Sequence, residues 1–310
     1  MNEPFALLFP GAPEIKNNMG YDLYNQFTEV KDIYDTISNQ IGFSVLDYLA
    51  TYTPEDMGNP IEFQLASLAY SLSVYSVLIS EHGKAPNAIS GLSMGQFSAI
   101  NAAGTLNLED TITLAHIQSK LLKQVLDEKP GDIYFSYGLN KVDFEKYTAK
   151  YNGDVFIISE NSPTQFTFGG TVEATEQLAN DINNYTGGLS AKISGLPPVH
   201  SMYLDAYVDH YLSDISKLNW QISETPIVSD TNAKILTPEN VVRQLGIQLS
   251  SATHFVDSIR TMNNMGIHHF ICVGPQRNLS VFVRNTLKGI DNRLKIDTIT
   301  TLDDINQLML

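Results

Sequence analysis

The chain has one cysteine and few basic residues. Cys272 cannot form an internal disulfide, and because it lies in the apolar run 269–273 we expect it to pack inertly in a buried strand. Lysine and arginine number 19 against 34 acidic residues, which gives a net charge of −15. Such a surface repels nucleic acid and anionic membranes, so neither is expected as a main partner.

Several sequence signals are also absent. We find no phosphate-binding loop, no dinucleotide fingerprint and no Cys/His metal cluster, so no cofactor is expected. The first residues, 1–11, lack a basic segment, and their apolar run is too short for a signal peptide. No apolar stretch reaches the length of a membrane span. These absences favour a cytoplasmic protein.

The length and hydrophobic content indicate a large folded unit with an insertion. The 310 residues are 43% hydrophobic, which is enough for a full core. Short apolar strands alternate with helical segments, as in α/β folds. Between 130 and 195 the order becomes β-α-β-β-α-β, the ferredoxin-like order. We therefore predict a large subdomain (1–129 and 196–310), a small ferredoxin-like subdomain (130–195) and a cleft between them.

A serine lies between two glycines in the stretch Gly91-Leu92-Ser93-Met94-Gly95. This spacing is typical of a strand-to-helix turn that presents a nucleophile in a strained backbone conformation, which flanking glycines tolerate. The backbone N–H of Met94, at the start of the next helix, would then face a developing oxyanion. An ordinary Gly-Ser turn before a helix gives the same pattern, and the motif alone does not separate the two.

A nucleophilic serine needs a base at neutral pH. His200 follows the Pro197-Pro198 turn and is predicted to open a helix, a position from which it can point into a cleft. A surface histidine in a turn is the alternative. For the remaining histidines we predict solvated or core roles. They are His82, His116, His210, His254, His268 and His269.

Five segments together resemble the malonyl-CoA:acyl-carrier-protein transacylase family over nearly the whole chain. They are, in order, Phe9-Pro10-Gly11, the G-L-S-M-G turn, Asn161-Ser162-Pro163-Thr164-Gln165, His200-Ser201 and Val273-Gly274-Pro275. The resemblance implies an α/β-hydrolase-like core with an inserted ferredoxin-like (βαββαβ) subdomain. It implies that Ser93 is acylated and that His200 is its general base and later acid. No triad carboxylate is implied.

The resemblance also implies supporting residues. The backbone N–H groups of Ala12 and Met94 would form the oxyanion hole, and Gln248 would orient the site. Asn161 falls at an asparagine that is usually near the pocket, although a turn-forming role explains it equally well. Without a triad carboxylate, Asp205 and Asp209 are interpreted as solvated helix residues.

The departures from the family bear on the substrate. Ala12 replaces glutamine, Leu92 replaces histidine and Gln96 replaces glutamate, and none of these changes removes a reacting atom. Gln118 replaces the arginine that pairs with the free carboxylate of the substrate in malonyl-specific members. An unpaired carboxylate in a partly dry pocket costs several kcal/mol, so malonyl should be disfavoured by orders of magnitude. Val199 replaces an aromatic residue, which favours a roomier acyl pocket or reflects plain loop variation.

These features resemble the acyl hydrolase branch of the transacylases that serve trans-acyltransferase polyketide synthases. Such a proofreading enzyme removes stalled acyl groups, such as acetyl or longer neutral acyl groups, from carrier proteins. The alternative is an acyltransferase that moves malonyl or a neutral acyl group between CoA and acyl carrier protein. An inactive carrier-binding homologue is a third hypothesis, and a generic lipase or esterase is a weaker one.

The partner implied by the resemblance is an acyl carrier protein, whose 4′-phosphopantetheine arm carries the thioester, and we expect a monomeric enzyme. A basic cluster near the C-terminus is the predicted docking surface for that acidic partner, with a merely solvated charged face as the alternative. Its residues are Arg277, Arg284, Lys288 and Arg293, followed by Lys295.

Overall fold

Two β-sheets organise the chain. The computed structural model describes residues 3–11, 15–53, 59–151, 153–185, 187–193, 195–274 and 278–308. The strands in chain order are β1 Phe5–Phe9, β2 Ala88–Gly91, β3 Asp132–Tyr137, β4 Val155–Ser162, β5 Gln165–Gly170, β6 Leu189–Ile193, β7 Ile227–Val228, β8 His269–Val273 and β9 Lys295–Ile299. The helices are α1 Tyr21–Gln26, α2 Thr28–Ile41, α3 Val45–Thr51, α4 Pro60–His82, α5 Gly95–Ala102, α6 Leu108–Glu128, α7 Lys141–Thr148, α8 Val172–Asn183, α9 Val208–Ile215, α10 Val241–Ser250, α11 Phe255–Asn264, α12 Asn278–Leu287 and α13 Leu302–Gln307.

The first sheet is parallel and has the order β7-β2-β1-β8-β9. Its central strand β1 pairs Leu7 with Ile89 on one side and with Ile271 on the other. All five residues of β1 are buried. Burial of every residue is expected when helices cover both faces of a parallel sheet. The carboxyl ends of β1, β2 and β7 therefore lie along one edge, which is where a ligand site is expected in such sheets.

The second sheet is antiparallel and has the order β4-β5-β3-β6. Its first and third strands in sequence are central and its second and fourth are at the edges, which is the ferredoxin-like arrangement. Helices α7 and α8 pack on one face around Phe144, Phe166 and Phe168. The predicted fold class, an α/β-hydrolase-like core with a ferredoxin-like insertion, is confirmed. The exact division at 129/130 and 195/196 stays a prediction.

Helix α4 corrects the expectation that no apolar stretch reaches the length of a membrane span. Among the described residues it is long and apolar enough, by length and composition, to cross a membrane. It lies instead in the protein core, where 78% of its most apolar 18-residue window is buried. It packs against α2 and α6. Its apolar character therefore serves packing on nearly all sides, as expected for a central helix.

The segment after His200 also differs from the helix that His200 was predicted to open. A tight 3-10 turn covers Met202–Tyr207, and α9 begins only at Val208. The Ser201 hydroxyl accepts from the backbone N–H of Tyr203 (3.3 Å). The Tyr203 hydroxyl donates to the carbonyl of Pro130 (2.7 Å), which ties this segment to the start of the small sheet.

The small sheet allows a stability prediction. The rings of Phe144 and Phe166 stack with centroids 4.6 Å apart, and Phe166 is 1% exposed. Phe166→Ala should lower the free energy of unfolding by about 3–4 kcal/mol, because it leaves a cavity in this core. Denaturant unfolding measures the change. Val142→Ala is the control, because Val142 is 61% exposed on the same subdomain and its loss should cost below about 0.5 kcal/mol. Equal effects of both changes would contradict the assigned core.

Candidate active site

Ser93 occupies the sharp turn between β2 and α5. Its φ is +53°, in the left-handed region that non-glycine residues seldom adopt. The neighbouring backbones are so close that a Cβ at Gly91 would lie 2.0 Å from the carbonyl carbon of Gly95. A Cβ at Gly95 would lie 2.4 Å from the carbonyl oxygen of Pro10. The turn therefore requires both glycines, and it presents the serine at the carboxyl edge of the parallel sheet.

His200 faces this serine. The distance from Ser93 Oγ to His200 Nε2 is 2.6 Å. On the other side of the ring, Nδ1 lies 2.5 Å from the carbonyl oxygen of Gln248. A carbonyl can only accept, so Nδ1 carries the proton and Nε2 is free to accept from the serine hydroxyl. The geometry thus selects the tautomer that a general base requires.

The C-terminal end of α10 holds His200 in place. The backbone N–H of His200 donates to the carbonyl of Leu249 (2.9 Å). Its ring donates to Gln248, so two carbonyls of the last turn of α10 are satisfied by one residue. These bonds hold His200 at a φ of +63°, a second strained backbone position. The negative end of the α10 dipole is also placed to stabilise an imidazolium.

Burial sets the charge of the base. His200 is 4% exposed, and desolvation lowers the pKa of its imidazole to about 4. The ring is therefore neutral at physiological pH and able to take a proton.

The N–H of Met94 has no acceptor among the described residues, and it lies at the N-terminus of α5, where a developing oxyanion would be stabilised. Serine, base and oxyanion donor together can form and resolve an acyl-serine.

A buried carboxylate lies beside this pair and was missed in the sequence. The backbone N–H of Ser93 donates to Asp230 Oδ2 (2.6 Å). The amide of Gln248 donates to both oxygens of the same carboxylate (2.8 and 3.0 Å) and to the carbonyl of Ser93 (3.2 Å). The position could have signalled this role, since Asp230 comes two residues after β7, at the sheet edge where Ser93 follows β2. By contrast, Asp205 and Asp209 are exposed, as predicted.

A cavity of about 530 Å³ extends from Ser93 and His200 between the parallel core and the small sheet. Its apolar lining comes from the small sheet, from α12 and from the loops that follow β2 and β6. These residues are Leu92, Ile133, Phe135, Tyr137, Ile158, Ile193, Leu196, Val199, Leu279 and Phe282. The predicted cleft between the two subdomains is therefore present.

Polar residues on one side of this cavity bond to one another. The Thr253 hydroxyl donates to Ser159 Oγ (2.7 Å), which donates to Asn161 Oδ1 (2.6 Å). The Asn161 amide donates in turn to Thr167 Oγ1 (3.0 Å). These hydrogen bonds occupy many of the polar groups in this wall, so the cavity offers a mainly apolar surface to a ligand. Asn161 thus lies at the pocket, and its side chain bonds to Ser159 and Thr167.

The structure places the other predicted pocket residues in different surroundings. Leu92 and Val199 line the cavity. Gln118 does not belong to the described cavity lining; it is 2% exposed, and its Oε1 accepts from the hydroxyl of Tyr211 (3.1 Å). The buried phenol needs an acceptor, and it holds the amide between α6 and α9. The prediction that Gln118 faces the pocket is therefore corrected. Ala12 lies outside the described residues, so its oxyanion role stays a prediction.

The predicted docking residues that the structure describes lie in different surroundings, and their docking role stays a prediction. Leu279 and Phe282 of α12 line the cavity, whereas Arg284 lines a separate polar cavity of about 270 Å³ beside β9. Lys288 and Arg293 are exposed beyond the end of α12. Helical spacing explains the difference, because Arg284 lies five residues after Leu279 and so on another side of the helix. Arg277 lies outside the described residues.

Comparison with known proteins identifies the family of this chain. The sequence family described as acyl transferase domain matches residues 7–303. The chain belongs to this acyl transferase family. The malonyl CoA-acyl carrier protein transacylase of Staphylococcus aureus (strain MRSA252) is 25% identical over 304 residues, which cover 97% of this chain and 96% of that protein. The enzyme is accordingly a serine-dependent acyltransferase of the malonyl transacylase family.

Two solved structures share the fold of this acyltransferase. One is a malonyl-transacylase in complex with its type II polyketide synthase acyl-carrier protein, with a TM-score of 0.90, 22% identity and 98% of each chain covered. The other is the transacylase of Streptococcus pneumoniae, with a TM-score of 0.86 and 24% identity over 98% of this chain and 100% of that one. All three relatives are named as transacylases. None of them indicates a proofreading role.

The Ser93 turn of this acyltransferase predicts a sharp steric penalty. Gly91→Ala should lower the free energy of unfolding by about 2–3 kcal/mol, because the added methyl overlaps the backbone at Gly95. Labelling of Ser93 by a fluorophosphonate should fall with it. The control is Gly153→Ala, where a Cβ meets nothing within 4 Å and only the positive φ costs about 1 kcal/mol. Full labelling of a stable Gly91→Ala variant would contradict the assigned geometry.

Proposed function

We propose that this acyltransferase removes neutral acyl groups from the phosphopantetheine arm of an acyl carrier protein through an acyl-Ser93 ester, with water as the final acceptor. Two residues would carry the chemistry, Ser93 as nucleophile and His200 as general base and acid. Gln248 positions the base through its carbonyl. A cytoplasmic location and a monomeric state remain predictions from the sequence.

In the first half of the reaction, Ser93 Oγ attacks the thioester carbonyl while His200 Nε2 takes its proton. The oxyanion that forms is stabilised by the N–H of Met94 and, as the sequence predicts, by that of Ala12. The intermediate then expels the thiolate, which takes the proton from the His200 imidazolium. The products are an acyl-Ser93 ester and the free thiol of the carrier protein.

In the second half, His200 takes a proton from water, and the hydroxide attacks the ester. The second oxyanion uses the same N–H donors. Its collapse breaks the bond to Ser93 Oγ, which takes the proton back from His200. The carboxylic acid leaves and the enzyme is restored. Each proton passes through one ring nitrogen, Nε2, because Nδ1 stays bonded to the carbonyl of Gln248.

The observation that best supports a neutral acyl group is the composition of the cavity. No lysine or arginine occurs among the described residues that line it, and His200 is neutral at physiological pH. Gln118, at the position of the family arginine, is bonded to Tyr211 and has no charge to offer. Among these described residues, a malonyl carboxylate would lose its water without gaining a cation, at a cost of several kcal/mol.

Transfer to a second thiol is the other candidate. It is favoured by the relatives, which are named malonyl CoA-acyl carrier protein transacylases. The acyl-Ser93 intermediate is the same in both reactions, and only the acceptor differs. The transferase would exclude water from the ester until a thiol entered. An acyl carrier protein is the proposed donor in the hydrolase and the donor or acceptor in the transferase.

Intact-mass spectrometry tests the acyl preference. Acetyl- and hexanoyl-carrier protein should each form an adduct on Ser93 within the first turnovers. Malonyl-CoA should acylate at least about 100-fold more slowly, since each 1.4 kcal/mol of lost stabilisation is a factor of ten. The Ser93→Ala variant controls for adducts elsewhere. Rapid malonylation of Ser93 would overturn the proposed preference and support the malonyl transferase.

A second measurement identifies the acceptor. The acetylated enzyme is isolated and divided between buffer alone and buffer with a holo-carrier protein. Under the hydrolase proposal, free acetate is released at the same rate in both samples and the carrier stays unacylated. If the ester persists in buffer and acetyl moves to the carrier thiol, the enzyme is a transferase for neutral acyl groups and hydrolysis is wrong.

A further inference from the structure

The carboxylate of Asp230 connects the two halves of the catalytic pair. It accepts the N–H of Ser93 on one side and the amide of Gln248 on the other. The carbonyl of Gln248 holds the ring of His200. One buried side chain therefore fixes the nucleophile turn directly and the base through a single intermediate residue.

The groups around this carboxylate require acceptors. Ser93 offers a backbone N–H, Gln248 offers an NH₂ group, and the Thr231 hydroxyl lies 3.3 Å from Oδ1. An ionised carboxylate can accept from all of them. A protonated carboxyl or an amide would turn a hydrogen toward one of these donors and lose a bond. The site is thus complementary to the anion, although only 1% of Asp230 is exposed.

No cation contacts Asp230 among the described residues. From the N-terminal part of α5, Gln96 Oε1 accepts its backbone N–H at 3.4 Å, and α5 carries no titratable residue. Helix α10 contributes Gln248, while its Arg243 is exposed. At the start of α11, His254 donates its backbone N–H to the carbonyl of Asp230 (2.6 Å), and its ring faces Glu160 (3.6 Å). His200, held by Gln248, is the titratable group linked most directly to the carboxylate.

We infer that Asp230 is a positioning residue, whose ionised carboxylate holds Ser93 in its left-handed conformation and keeps Gln248 aligned with His200. The inference rests on the Ser93–His200 pair of the proposed function, but not on the acyl group or the acceptor. Among the residues that the structure describes, no cation compensates the burial of this anion. Desolvation accordingly raises the pKa of Asp230 to about 7. Protonation should therefore loosen the pair within the physiological pH range.

The test measures the rate of fluorophosphonate labelling of Ser93 from pH 5 to pH 9. The wild-type rate should rise across about pH 7 as Asp230 ionises. Asp230→Asn should be at least about tenfold slower at pH 8 and should lack this rise, because an amide mimics the protonated carboxyl. Asp205→Asn, the same change at an exposed site, should behave as the wild type. Labelling of the wild type but not of Ser93→Ala establishes the nucleophile independently.

The melting temperature provides a second readout, which separates positioning from simple support of the fold. The pKa of Asp230 in the folded protein, about 7, lies above its ordinary value of 3.8. Folding therefore favours the protonated form, and the wild type loses stability as the pH rises from about 4 to about 7. Asp230→Asn lacks this loss. The Tm of Asp230→Asn minus that of the wild type should therefore increase from pH 5 to pH 8, although the variant is labelled more slowly than the wild type at pH 8.

Two results would overturn the inference. One is labelling of Asp230→Asn within threefold of the wild type with the same rise near pH 7. The other is a Tm of Asp230→Asn that falls relative to the wild type at pH 8 in proportion to the loss of labelling, which would make Asp230 a structural residue only. Slow labelling without the pH 7 rise, combined with the predicted Tm difference, supports it.

Discussion

The catalytic pair depends on two helix ends whose backbone groups lack partners within their own helices. The N-terminus of α5 follows Ser93 and leaves the N–H of Met94 for an oxyanion. The C-terminus of α10 directs the carbonyls of its last turn at His200. Negative charge develops on the substrate oxygen and positive charge on the imidazole, so each charge meets the helix end that favours it. The reaction centre thus lies between two preorganised dipoles.

Burial acts on the two titratable groups of this centre in opposite directions. It lowers the pKa of His200 to about 4 and raises that of Asp230 to about 7. Both shifts favour the neutral form, as desolvation does in general. For His200 this is the form that accepts a proton from serine. For Asp230 the favoured form is the one with poorer hydrogen bonding to Ser93 and Gln248. The same burial therefore keeps His200 in the form that accepts a proton, but it disfavours the ionised Asp230 that bonds best to Ser93 and Gln248.

The residues of the site that the sequence predicted belong to recognisable segments, the Ser93 turn above all. Gly91 and Gly95 flank Ser93 at a spacing that the sequence shows directly, and the order of strands and helices predicted the ferredoxin-like insertion. Asp230 lies 137 residues from Ser93 and belongs to no motif. It could be placed only once β7 was known to pair beside β2.

The residues that sequence reasoning misplaced share another cause, the direction of a side chain on its helix. Gln118 was assigned to the pocket by its position, but the hydroxyl of Tyr211, from a different helix, decides where the amide points. Arg284 was assigned to a docking surface as one of a run of basic residues, whereas the face of α12 that meets the cleft carries Leu279 and Phe282. Composition along a segment does not reveal which face is used, because tertiary packing sets the helix rotation.

Substrate choice and reaction chemistry are separable in this architecture. In the proposed reaction, the groups that act on the thioester are the Ser93 hydroxyl, the His200 ring and backbone N–H groups, and the far end of the acyl chain would extend away from them along the cavity. That end would meet a cavity wall supplied largely by the small sheet, where Ile133, Phe135 and Ile158 are apolar. A change of charge in that region alters which acyl group can be desolvated, while the Ser93 turn and the α10 end stay as they are. The chain can therefore keep the acyl-serine chemistry of its family while accepting different acyl groups.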